Sequence, residues 1–97
     1  MQLEILTPEQ NLFKGEVSHV ELPGTNGSFG VLDNHAPMVS GLDEGEVRFQ
    51  TALKANSAPL NKAIKKDAGD SNLLILDIKG GFVEVLNNKV SILLESI

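Results

Sequence analysis

Residues 82–93 read Phe82-Val83-Glu84-Val85-Leu86-Asn87-Asn88-Lys89-Val90-Ser91-Ile92-Leu93, and their pattern decides the fold class. Two β-rich runs flank an Asn-Asn pair, and asparagine tolerates the left-handed backbone that a type I′ hairpin turn demands at both central positions. The turn fixes the register. Val85 then faces Val90 and Val83 faces Ile92, which puts four apolar side chains on one face, while Glu84 pairs with Ser91 on the other. A slip of one residue would bury Glu84 and Ser91, so turn chemistry and hydrophobic pattern agree.

Working outward, period two dominates the chain and a helical period is nearly absent. Leu3 and Ile5 alternate with Gln2 and Glu4, and Thr7-Pro8-Glu9 closes this first strand. From Leu12 to Leu22 the apolar positions Val17, Val20 and Leu22 change phase across Ser18-His19, which predicts a bulge that switches the inward face. Pro23-Gly24-Thr25-Asn26-Gly27 is a turn leading to a short strand at 28–32. Glu46 to Leu53 alternates cleanly, with Val47, Phe49, Thr51 and Leu53 facing the core. Lys54 to Asn72 is polar and small and is expected to be a long surface loop, with one helical turn suggested by Leu60, Ala63 and Ile64. Gly80-Gly81 offers a second hairpin, with Leu74, Leu76 and Ile78 inward and Asp77 opposite Glu84. Many short strands and no helix long enough to cover a sheet imply an all-β, antiparallel, two-sheet β-sandwich with a long polar loop between 54 and 72.

The chain has 97 residues, room for one domain spanning 1–97 with a single modest core. Thirteen acidic against eight basic residues give a net charge of -5, which repels phosphate backbones and anionic lipid, so nucleic acid is not an expected partner. No cysteine is present, which removes disulfides, thiolate metal sites and thiol nucleophiles. No apolar run approaches the roughly 18 residues of a membrane span, so direct membrane insertion is not expected.

Only His19 and His35 are neutral-pH bases. A hydrolase centred on His35 would need a nucleophile in a strained elbow, but no GxSxG pattern is present and Ser28 lies seven positions away. Asp33 and His35 lack a third metal ligand at characteristic spacing, and Gly24, Gly27 and Gly30 precede no helix that would hold a phosphate. No catalytic residue, metal or cofactor is expected. Asp33-Asn34 reads as a turn whose short side chains bond the local backbone, with His35 half exposed beside it. Phe29, Val31, Leu32 and Met38 read as core.

Three blocks carry a resemblance: LEILTPEQNLFKGEV, then VELPGTNGSFGVLDNHAP, then GGFVEVLNNKVSILLE. In order and in turn glycines they resemble the N-terminal β-sandwich domain of the epsilon subunits of F-type ATP synthases, over residues 1–49 and about 74–95. One departure is local. The family usually reads LPGHAP where this chain has Leu32-Asp33-Asn34-His35-Ala36-Pro37, so Asn34 takes the place of a glycine and is expected at positive φ. Family members often continue into an inhibitory α-helical hairpin, in some an ATP-binding one, whereas this sequence ends at Ile97. The resemblance therefore implies a short form without that hairpin.

The resemblance further implies a non-catalytic rotor subunit on the cytoplasmic side of the bacterial inner membrane, monomeric when isolated. It would bind the gamma subunit and the membrane c-ring, coupling proton-driven rotation to ATP synthesis. Carried over by position, Asn26, Gly27, Ser28 and Phe29 match the c-ring contact, and Thr7, His35 and Ser40 match positions near gamma. Asp33, Asn34, Ala36, Pro37 and Met38 complete a docking turn. Phe29 or Met38, if exposed, would be apolar anchors. The alternative from the residues alone is a free-standing β-sandwich ligand-binding or adaptor module.

Overall fold

The computed structural model describes residues 1–51 and 61–95. The described residues form nine strands: β1 (Gln2–Leu6), β2 (Asn11–Gly24), β3 (Gly27–Leu32), β4 (Met38–Leu42), β5 (Gly45–Thr51), β6 (Ile64–Lys66), β7 (Leu73–Ile78), β8 (Gly81–Leu86) and β9 (Lys89–Leu94). No helix occurs among them.

Strand β2 organises the molecule. Its first half pairs with β1, from Gln2↔Glu16 to Leu6↔Asn11. Its second half lies between β3 and β5, with Val20 opposite both Val31 and Phe49. The register shifts between Val17 and His19, where the inward positions change from Phe13 and Val17 to Val20 and Leu22. The expected bulge is therefore present, and it lets one strand serve two layers. The first layer runs β4-β8-β9-β1-β2 and the second β3-β2-β5-β7-β6. Between them lies an aliphatic core that includes Leu3, Ile5, Val20, Leu22, Val47, Phe49, Leu76, Val83, Val85, Val90 and Ile92. The rings of Phe13 and Phe49 meet there at 4.7 Å with a 58° tilt, an aromatic geometry that adds to simple burial.

The β8–β9 hairpin has the register read from its turn: Val83↔Ile92, Glu84↔Ser91 and Val85↔Val90. Asn87 and Asn88 take φ 52 and 59.

Five expectations are corrected. The sandwich is mixed, because β1 and β9 pair in parallel, Leu3↔Val90 and Ile5↔Ile92. Gly80-Gly81 does not close a hairpin: β7 pairs with β5 and β6, and β8 with β4 and β9. Leu74, Leu76 and Ile78 are buried as expected, but Asp77 lies opposite Glu46 rather than Glu84, and Lys65 reaches it at 3.0 Å. Residues 54–72 are not all loop, since Ile64–Lys66 add an edge strand to β7. Ile64 is buried while Lys65 and Lys66 face water, an arrangement that blunts further edge pairing. Instead of a helical turn at Ala63 and Ile64, Asn61 opens a tight turn, its side-chain Oδ1 accepting from Ala63 N–H and its carbonyl from Ile64 N–H, which leads straight into β6. Fifth, Pro23 and Gly24 belong to β2, and the turn is only Thr25-Asn26. Leu53, Leu60 and the stretch 52–60 lie outside the described residues. Strand β4 was not anticipated; its Ser40 and Gly41 blur the alternation that marks the other strands.

Candidate docking site

The residues matched to the c-ring contact occupy the tip of the β2–β3 hairpin. Asn26, Gly27 and Ser28 are exposed, and Gly27 takes φ 115, which glycine adopts without strain. The tip is tied to β4 by Thr25 N–H donating to Gly41 C=O at 3.2 Å and Asp43 N–H to Pro23 C=O at 2.8 Å. Phe29 is not a free anchor. It is half-buried against the core, and its ring covers Gly24 so closely that a Cβ there would lie 2.7 Å from both the ring and the Gly27 carbonyl oxygen. Met38 is likewise partly buried against the core, as the first residue of β4. Leu32, expected in the core, is 65% exposed.

Of the turn expected to dock a partner, Asp33 to Pro37 lie at the other end of β3 and Met38 opens β4. β3, whose first three residues belong to the tip, runs six residues to it, roughly 17 Å from Gly27 to Leu32 at the rise of a β-strand. Asn34 adopts φ 62, as expected for the glycine's stand-in. His35 N–H donates to Leu32 C=O at 3.2 Å, and its Nδ1 lies 2.7 Å from the Ala36 carbonyl oxygen. Asp33 does not bond its local backbone as expected. Its Oδ1 accepts from the Met1 ammonium at 2.8 Å, and the same ammonium reaches Glu16 at 3.2 Å.

Thr7, His35 and Ser40 are not brought together. Ser40 lies in mid-β4 opposite Val83. Thr7 follows β1 and is held by its own turn, where Gln10 N–H donates to Thr7 Oγ1 at 3.2 Å. Strand registers place Thr7 at the Leu42–Gly81–Leu94 end of the first layer and His35 at the opposite, Asn88 end. Ser28 and His35 likewise lie at opposite ends of β3, too far apart to share a proton. Among the described residues no group of three or more His, Cys, Asp or Glu is placed to hold a metal. Nor is any helix among them long and apolar enough to cross a membrane.

One surface was not anticipated. Val39, Phe82, Leu86 and Leu93 are exposed large apolar residues, and the registers put them all on the outer face of the first layer. Phe82 there lies directly beside Leu93. The signal was available, since the register that turns Val83, Val85 and Ile92 inward turns Phe82, Leu86 and Leu93 outward. An open cleft of about 380 Å³ adjoins this face, lined by Thr25, Gly41, Leu42, Phe82, Lys79 and Glu95 among others.

The Asp33–Met1 pair gives a pH prediction. The Met1 ammonium hydrogen-bonded to Asp33 holds that carboxyl below its ordinary 3.8. In turn, the hydrogen bond to Asp33 raises the Met1 amine above its ordinary 8.0 against the opposing effect of burial. The acid's contribution to stability is present above 3.8 and lost as pH falls through the lowered value. The amine's contribution is complete below 8.0 and lost as pH rises through the raised one. Melting temperatures of the native chain and Asp33→Asn, in a form with a free Met1 amine, should differ most between these limits and converge on both sides. Parallel curves across the range would contradict the pairing.

The described residues thus form a helix-free β-sandwich whose two exposed turns lie at opposite ends of β3. The chain belongs to the family of the ATP synthase Delta/Epsilon chain beta-sandwich domain, which its residues 1–62 match. It is 34% identical over 93 residues to an ATP synthase epsilon chain of Leptospira interrogans, covering 96% of this chain and 59% of that one. With the ATP synthase epsilon chain of Desulfitobacterium hafniense it shares 37% identity over 94 residues, covering 97% and 58%. The chain thus spans less than two thirds of the length of these relatives. Its fold is similar to a chain in the cryo-EM structure of the Tetrahymena thermophila mitochondrial ATP synthase central stalk and c-ring, with TM-score 0.70 and 14% identity over 98% of this chain and 63% of that one. A chain in the Euglena gracilis mitochondrial ATP synthase OSCP/F1/c-ring structure gives TM-score 0.72 and 21% identity over 97% and 49%.

Proposed function

We propose that this chain is the β-sandwich part of a non-catalytic central-stalk subunit of an F-type proton-translocating ATP synthase, docked to the gamma subunit and to the c-ring. The observation that carries the reading is the placement of two exposed docking groups at opposite ends of one strand in a close-packed sandwich, in a chain of the epsilon family. The β2–β3 tip contacts the polar loops of the ring, and the Asp33–Pro37 turn faces gamma. A dense core resists shear, so torque applied at one end is passed to the other with little loss. The subunit works peripherally on the cytoplasmic side of a bacterial inner membrane and is a monomer when isolated. The uncovered apolar face of the first layer supports a role inside an assembly, because monomers seldom leave such a face in water. The free-standing module has no observation in its favour.

Copurification tests the proposal. A tagged chain should retain gamma and the c-ring from solubilised membranes, and the isolated chain should turn over no ATP. Turnover by the isolated chain, or recovery of the chain without either partner, would refute it.

A further inference from the structure

The docking turn is braced from outside its own segment. Asn88, at the tip of the β8–β9 hairpin, accepts the Asn34 N–H on its side-chain Oδ1 at 2.8 Å. Its own carbonyl oxygen accepts the Gln2 N–H at 3.1 Å. One residue therefore ties the first strand to the turn, across 54 positions of sequence for Asn34. Asn34 is exposed and left-handed. A five-residue turn with such a residue has many alternative shapes in water, and ordering it costs conformational entropy. Asn88 supplies the Oδ1 acceptor that an isolated turn would lack, and the left-handed backbone at Asn87 and Asn88 aims it.

We propose that Asn88 is the positioning residue of the Asp33–Pro37 turn, holding it in one shape before a partner arrives. The inference rests on the reading that this turn docks gamma. A preformed turn binds more tightly because less ordering remains to be done on association.

The test uses the full chain carrying Asn88→Gly, with Asn87→Gly as the control. Glycine accepts the φ of 59 at position 88, so the hairpin keeps its backbone while the side-chain acceptor is removed. Amide exchange at Asn34 and binding to purified gamma are read together with the melting temperature. In Asn88→Gly, Asn34 should exchange about tenfold faster and gamma affinity should fall about five- to tenfold, the scale of one lost hydrogen bond. The melting temperature should stay close to that of the Asn87→Gly control, which should change neither readout. Asn88→Asp keeps an acceptor for Asn34 but sets a second carboxylate beside Asp33, so it should recover part of the Asn34 protection.

Unchanged Asn34 exchange in Asn88→Gly would overturn the brace. Faster exchange with unchanged gamma affinity would overturn its role in docking. Failure of the unsubstituted chain to bind gamma would instead overturn the docking reading, and the exchange data would still decide whether Asn88 holds the turn.

Discussion

Phe49→Ala should lower the stability of this chain by about 3–5 kcal/mol, the cost of emptying an aromatic site in a packed core. Phe49 is fully buried in the middle of β5, between Val20 on β2 and Leu74 on β7, with the Phe13 ring against it. Three strands and both halves of β2 therefore converge on it, and none can collapse into the gap without breaking its own ladder. Small domains have only about 5–15 kcal/mol of net stability, so the substitution removes a large share. For a domain of this size the melting temperature should fall on the order of 20 °C. Phe82→Ala is the matched control. That ring is 59% exposed on the outer face, and its loss should change stability by no more than about 0.5 kcal/mol. Thermal melts of the two variants side by side decide the matter; equal effects would mean the inward and outward faces of β5 and β8 are misassigned.

Gly81→Ala is the second large effect. A Cβ at Gly81 would collide with the backbone carbonyl oxygen of Leu93 and lie 3.0 Å from the Leu94 side chain. Gly81 pairs with Leu94 on one side and Leu42 on the other, so the clash falls where β8 begins and β4 and β9 end. The carbonyl is part of β9 and cannot rotate away as a side chain can. Overpacking of this kind costs about 1–3 kcal/mol, and fraying should appear first as faster amide exchange at the ends of β4, β8 and β9. A variant with unchanged melting temperature and exchange would contradict the close approach of Gly81 to the Leu93 carbonyl.

The chain corner at Gly80-Gly81 also marks where sequence reading stopped. The Asn87-Asn88 hairpin was legible because turn chemistry and a two-residue alternation pointed to one register. The β2 bulge was legible because Val17 and Val20 cannot face one side of an unbroken strand. Gly80-Gly81 carries similar turn chemistry, but local residues do not say which strands will pair. Gly80 at φ 147 lets the chain cross from one layer to the other, and only the whole sandwich selects that outcome. Strand β6 escaped because a single buried Ile64 beside two lysines reads as loop, and the parallel β1–β9 pair depends on residues nearly the whole chain apart. At the site, the two turns were readable as turns, and Asn34 as their left-handed member. Their separation to opposite ends of β3 was not, nor was the Met1 partner of Asp33, because both follow from strand direction and long-range contact rather than from composition.

The rotor reading is tested most directly by position. The chain has no cysteine, so Ser28→Cys at the tip and Ala36→Cys in the exposed turn each introduce one unique thiol, and a short thiol-reactive photo-crosslinker attached there reports its nearest neighbour in the assembled synthase. The reading predicts attachment to the c-ring from position 28 and to gamma from position 36. Crosslinks from both positions to the same partner, or to neither, would contradict it.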